Sequence, residues 1–217
     1  MSYTPFVRRF LCSVSLTLVA AACAPPEVKI GKVNLVDADG VEPAAEGTIV
    51  EVPGPIPKSL SGPVRIAIDG DVTYADAVKA IAAVKAAGGT PVLLVLDRNR
   101  VVALPPLSGK KSDTAIRLKA RTDADGCKEG QALCVQACIS PPDNDTATCV
   151  RRPDGKHVDR AFVRQVLAKA IREWAPLSDI HVWIDPKLSW ADAVRAIDGA
   201  RTCCGEGKVT VSVEPAP

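Results

Sequence analysis

Hydrophobic and polar positions change period several times along these 217 residues, and each change marks an element. Val33–Val36 and Thr48–Val52 are short apolar runs parted by an Asp39-Gly40 turn, and read as strands. Pro53–Pro63, rich in proline, glycine and serine, reads as a loop. Val64–Ile68 is then a strand, Thr73–Ala87 a helix and Pro91–Leu96 a strand that turns near Asn99 into Val101–Leu104. Farther on, Thr114–Arg121 and Ala132–Ile139 have strand character. The clearest helical period runs over His157–Trp174. Phe162, Val166, Ala170 and Trp174 recur every fourth residue there, with Val163, Leu167 and Ile171 beside them. Ile180–Ile184 predicts a strand, Ser189–Arg201 a helix and Lys208–Val213 a last strand.

Part of this pattern occurs twice. Residues 64–81 and 180–197 align without a gap at an offset of 116, with eight of eighteen positions identical. Each copy is an apolar run ending in aspartate (Asp69, Asp185), followed by a hydroxyl, an aromatic and an acid. These are Thr73, Tyr74 and Asp76 in one copy and Ser189, Trp190 and Asp192 in the other. We read an internal duplication. The hydroxyl and the acid have capping-box spacing, with aspartate where glutamate is usual. Tyr74, Val78 and Ile81, against Trp190, Val194 and Ile197, give each helix an apolar stripe that would cover a sheet. Glycines (Gly88, Gly89; Gly205) stop each helix before the next strand. The unit is βαβ, whose two strands ordinarily pair in parallel.

The fold class this predicts is α+β, with two small repeated domains, each a mixed sheet covered by one or two helices. Residues 33–105 would be the first domain, 106–113 a linker, and 114–217 the second domain with a disulfide-rich insertion.

The start of the chain sets the compartment. Arg8 and Arg9 precede an apolar stretch from Phe10 to Ala22, too short to span a bilayer permanently. Small residues immediately before Cys23 resemble a bacterial lipoprotein signal. That resemblance implies cleavage after residue 22, lipid on Cys23, and residues 23–32 as a lipidated tether. An ordinary signal peptide cut after Ala22 is the alternative. Several acyl chains anchor firmly, since each buried methylene contributes roughly 0.8 kcal/mol. Ala24, in place of the aspartate that would favour inner-membrane retention, points to the outer membrane with the protein facing the periplasm.

Charge and cysteine content refine this. Lys+Arg total 27 against 25 Asp+Glu, and loss of Arg8 and Arg9 leaves the two balanced. A balanced chain does not suit nucleic acid, which wants a basic face. Beyond Cys12 and Cys23 stand Cys127, Cys134, Cys138, Cys149, Cys203 and Cys204, an even set that reads as disulfides in an oxidising compartment. If 131–139 is a strand, Cys134 and Cys138 share a face about 13 Å apart. A disulfide needs Cα atoms within about 7 Å, so these two cannot bond each other. A hairpin over Ser140–Asp145 puts Cys138 opposite Cys149, the pairing we favour. Adjacent Cys203 and Cys204 would take separate partners. Zinc is the weaker reading, because no CxxC pair is present.

The repeated residues resemble the periplasmic domain of ExbD/TolR biopolymer-transport proteins. The likeness rests on Ile66-Ala67-Ile68-Asp69, Val72, Tyr74, Val78, Ile81, Ala87-Gly88 and Val92–Leu96. In the second copy it rests on Val182-Trp183-Ile184-Asp185, Leu188, Trp190, Val194, Ile197 and Val209–Val213, with Cys203-Cys204 where alanine-glycine belongs. The preceding helix, His157–Trp174, matches the family plan as well; in the first copy the Pro53–Pro63 loop stands in its place. ExbD and TolR carry a transmembrane helix with a motor aspartate. Here a lipoprotein signal stands in that position, so the motor role does not carry over. The resemblance implies dimerisation and binding of envelope partners, among them transport-motor components, with peptidoglycan contact an alternative.

Asp69, Tyr74, Asp185 and Trp190 are the candidate contact residues, although a post-strand aspartate is more often a turn-former. His157 and His181 join no recognisable catalytic set, and no phosphate-binding, dinucleotide or metalloprotease motif is present. The four Asp-Gly pairs read as turns, not calcium loops. The sequence therefore predicts a non-enzymatic, lipid-anchored binding or scaffolding protein without cofactor or metal. A peptidoglycan-binding lipoprotein, or a thiol-redox protein using Cys203 and Cys204, is the alternative.

Overall fold

Thr73 and Ser189 organise the chain locally. Each has an extended backbone, and its hydroxyl accepts the amide of the acid three residues on, Asp76 or Asp192. That satisfies one of the amides every helix leaves open at its start. Helix α1 thus covers Tyr74–Ala86 and α3 covers Trp190–Arg201. The shortened acid changes the box: Asp76 and Asp192 each accept the cap hydroxyl itself, at 2.8 Å in both.

The computed structural model describes residues 29–42, 47–106, 112–123, 127, 133–143, 147–152, 154–205 and 209–213. The signal with Cys23, the start of the tether and most of the linker lie outside these residues. Among these residues the fold is α+β, with three helices, two mixed sheets of four and five strands and a small two-stranded hairpin.

The first sheet has the order β3-β4-β5-β6, from Thr48–Val52, Pro63–Ile68, Thr90–Asp97 and Arg100–Ala103. β3, β4 and β5 are parallel, and α1 makes the crossover between β4 and β5. β6 returns antiparallel through a two-residue turn, with Arg98 and Asn99 both at positive φ. Two left-handed residues in a row suit a tight hairpin. Alternation divides this sheet's faces. Val64, Ile66 and Ile68 are buried in the main core, while Ala67 and Leu94 are buried with Val33 in a second cluster. Val33 belongs to the hairpin of β1 (Lys29–Ile30) and β2 (Val33–Asn34).

The second sheet has the order β11-β10-β7-β8-β9. Its strands are Ile116–Asp123 (β7), Cys134–Ser140 (β8), Thr148–Val150 (β9), Asp179–Ile184 (β10) and Thr210–Val213 (β11). β7, β10 and β11 are parallel, and α3 crosses from β10 to β11. β8 and β9 extend the sheet antiparallel. Helix α2 spans Arg160–Glu173 and packs on α3. It begins three residues later than the apolar period suggests, because Asp159 caps it and the Val158 amide is held by Asp192. Gly199 permits the close approach: a Cβ there would stand 2.9 Å from Val163 Cγ1.

One buried cluster runs from Val36 through both sheets to Val211, including α1, α2 and α3. Each of its large aliphatic side chains contributes roughly 1.5–3 kcal/mol by leaving water. The apolar face of α1 is wider than the expected stripe: Tyr74, Ala77, Ala80 and Val84 are buried, and Val78 and Ile81 pack half-buried at its edge.

Four cysteines form the disulfides Cys127–Cys134 and Cys138–Cys149. The second is the cross-strand pair expected from the hairpin, Cys138 facing Cys149 in register. Cys203 and Cys204 are free thiols, contrary to the expectation of separate disulfide partners. The other four cysteines of the region are already paired with one another.

Candidate functional site

The two copies of the repeated motif meet at their strand-to-helix turns. The Tyr74 amide donates to the Leu188 carbonyl at 2.7 Å, and the Trp190 amide to the Val72 carbonyl at 2.6 Å. Ala75 donates to Pro186 and Ala191 to Gly70, at 3.1 and 3.0 Å. Every residue of one bond becomes its counterpart in the other when 116 is added or subtracted. Thr73 and Ser189, themselves 116 apart, form the bridge at the centre. The four amides belong to first helical turns, which have no partner within their own helix. The carbonyls are those of the Asp-initiated loops. Each copy therefore completes the helix start of the other.

This geometry assigns the repeated residues their roles. Asp69 accepts the amides of Asn34 and Asp71 at 2.9 and 3.0 Å, and Asp185 accepts that of Lys187 at 2.9 Å. Both hold their loops, the turn-former reading. Tyr74 is 4% exposed and Trp190 2%. Neither offers a contact surface, so their assignment as partner-binding residues is corrected: the apolar helix face they head is core. Burial pushes the Tyr74 phenol up to about 12. The Trp190 indole N–H is buried without an acceptor among the described residues.

A second junction is ionic, and sequence reading missed it. Asp198 is fully buried. It meets Arg160 of α2 and Arg201 of its own helix at 2.7 Å each. It also accepts the Asp39 amide at 3.3 Å, and Arg201 donates to the Asp39 carbonyl. Asp192 plays a similar part nearby: 3% exposed, it takes the Val158 amide at 2.8 Å and Arg195 at 3.0 Å. These carboxylates tie α2, α3 and the 39–41 segment together. A signal was present: Asp198 interrupts the apolar run Ala196-Ile197 to Ala200, and its counterpart 116 residues earlier is Ala82.

The groups with chemical potential are tied up or masked. His181 Nδ1 lies 2.8 Å from Ser212 Oγ on the adjacent strand, both buried. His157 is 3.7 Å from Asp192 and half-exposed. The Cys203 thiol is buried, and desolvation, aided by the neighbouring Cys204, raises its pKa far above the ordinary thiol value. Among the described residues no cluster of three metal-ligating side chains occurs, and no helix is long and apolar enough to cross a membrane.

One open cleft of about 620 Å³ lies at the end of the second sheet remote from the mirrored turns. It is lined by Asp113, Thr114, Pro141, Pro142, Asp143, Trp174 and Leu177. Strand register explains the convergence. Arg117 faces Ser140, so the residues before β7 run beside those after β8. Ile116 faces Ile180, so Leu177 lies across from the same segment.

No family model matches this chain, and no match was found among proteins of known function or among solved structures.

Proposed function

We propose that this chain is a lipid-anchored binding or scaffolding protein of the bacterial cell envelope, non-catalytic, built from two ExbD/TolR-like units and engaging envelope transport proteins. The observation that carries the reading is the pair of disulfides Cys127–Cys134 and Cys138–Cys149, which fits export to an oxidising compartment. The Arg8-Arg9 leader ending at Ala22-Cys23 supports the same destination and supplies the anchor. The scaffolding part of the reading is supported by the repeated residues, which serve as caps, core side chains and loop ties that join the two copies. The thiol-redox alternative has less support, since burial keeps Cys203 protonated and poorly nucleophilic.

The test is fractionation followed by capture. Cys23→Ser should move the protein from the membrane fraction to the soluble periplasm. Crosslinking in intact envelopes, with the wild-type chain as bait, should recover transport-motor components. An unchanged membrane fraction for Cys23→Ser would sink the anchor, and recovery of peptidoglycan fragments in place of proteins would replace the partner.

A further inference from the structure

The cleft at the far end of the second sheet has walls already fixed. The Arg117 guanidinium donates to the Pro141 carbonyl from Nη2 and Nε, at 3.0 and 3.3 Å, and holds the Pro141-Pro142 wall. Ser112 accepts the Thr114 amide at 3.2 Å and its side chain bonds the Thr114 hydroxyl at 2.8 Å, which sets the Asp113-Thr114 wall. The Leu177 amide donates to the Trp174 carbonyl at 3.1 Å and closes the third side. Trp174 packs against the core, stays half-buried and lines the cleft. Little ordering is left for a ligand to impose.

The lining is uneven in charge. Trp174, Leu177, Pro141 and Pro142 are apolar surfaces. Asp113 and Asp143 are exposed carboxylates, and among the described residues neither meets a cation or a hydrogen-bond donor. An aromatic face beside unpaired carboxylates attracts an organic cation, through the ring quadrupole and through charge. Proline and leucine walls suit the methylene stem that carries such a charge. The volume falls in the range that holds a small molecule or a few residues of peptide.

We infer that this cleft is a docking site for a lysine side chain presented on an extended segment of a partner protein. The inference rests on the reading of the chain as a binding protein and supplies the chemistry of one contact. Trp174 receives the ammonium group over its ring. Asp113 and Asp143 balance its charge from the two strand-end walls. Leu177 and the two prolines line the stem.

The probe is the peptide acetyl-Ala-Lys-Ala-amide, titrated into the full mature chain while the Trp174 indole N–H signal is followed by NMR. Trp174→Phe identifies that signal among three tryptophans. Expected is a saturable shift whose affinity falls as salt rises. The norleucine peptide, which keeps the stem and loses the charge, should bind about tenfold more weakly, a difference of about 1.4 kcal/mol. Asp113→Asn with Asp143→Asn should cost a similar factor and leave the melting temperature unchanged. Equal binding of the lysine and norleucine peptides overturns the site. So does binding of the lysine peptide that the double variant retains, or a Trp174 signal moved only by an uncharged oligosaccharide of N-acetylglucosamine. A protein that Cys23 holds at the membrane while its cleft ignores the lysine peptide loses this site and keeps the envelope reading.

Discussion

The Trp190 amide donates to the Val72 carbonyl at 2.6 Å, and the exchanged bond, Tyr74 to Leu188, lies beside it at 2.7 Å. The two halves are thus joined through main-chain groups that a single copy would leave to water. Proline substitution tests this, because proline within the first helical turn normally costs little. At Ala191 it would remove the amide that bonds Gly70. At Ala161, the equivalent position of α2, it removes an amide that has no such partner among the described residues. Ala191→Pro should therefore be less stable than Ala161→Pro by about 0.5–1.5 kcal/mol in urea melts. Equal costs would mean that the cross-copy bonds contribute nothing.

Asp198 carries the largest electrostatic commitment. Its removal leaves Arg160 and Arg201 facing each other across a buried site. Breaking a buried ion pair on one side typically costs about 3–5 kcal/mol. Asp198→Ala should lose that much, whereas Asp76→Ala, removing an exposed pair to Lys79 as well as the cap contact, should cost distinctly less. Paired denaturant curves with equal midpoints for the two variants would contradict this ranking.

Local chemistry was legible in the sequence and long-range chemistry was not. The limits of α1 and α3 fell within a residue of expectation because Thr73 and Ser189 cap through neighbours three residues away. β3 matched over its whole length, Thr48–Val52, because glycine and proline bound it. The start of α2 was placed too early because Asp192, far along the chain, claims Val158 before the helix begins. The Cys138–Cys149 pair was readable from hairpin geometry, whereas Cys127–Cys134 joins a strand to a stretch with no period to place it. The aromatic of each repeated motif looked available for binding because one sequence copy does not reveal the other copy packed against it. The cleft also escaped notice. Its residues come from three separate segments that only strand register brings together.

Tyr74 predicts a loss of stability in alkali. Burial raises its pKa from 10.0 to about 12. Below pH 10 the phenol is neutral in both folded and unfolded chains, so its contribution is present in full. From 10 to about 12 only the unfolded chain ionises, and stability falls by about 1.4 kcal/mol per pH unit. Above the folded value the loss is complete. The only other tyrosine of the sequence is Tyr3. Urea midpoints should decline between about pH 10 and 12 in the wild type and decline distinctly less in Tyr74→Phe; parallel declines rule out this source.

The two disulfides predict an uneven response to reduction. Cys138–Cys149 staples β8 to β9, one of the two edge strands of its sheet, and spans 11 residues. Cys127–Cys134 ties the start of β8 to the segment after β7. The first sheet contains no cysteine. A disulfide of this kind stabilises by about 2–4 kcal/mol, chiefly by restricting the unfolded chain. An edge strand of three residues has little else to hold it. Reduction should therefore open β8 and β9 first, while β3, β4 and β5 stay protected by α1 and the shared core. Hydrogen exchange followed residue by residue separates the outcomes. Early exchange at 134–140 and 148–150, with slow exchange retained at 64–68 and 92–96, is expected for the reduced protein and for Cys138→Ala with Cys149→Ala. Uniform loss of protection in both sheets would mean that the staples support the whole core and not the edge they span.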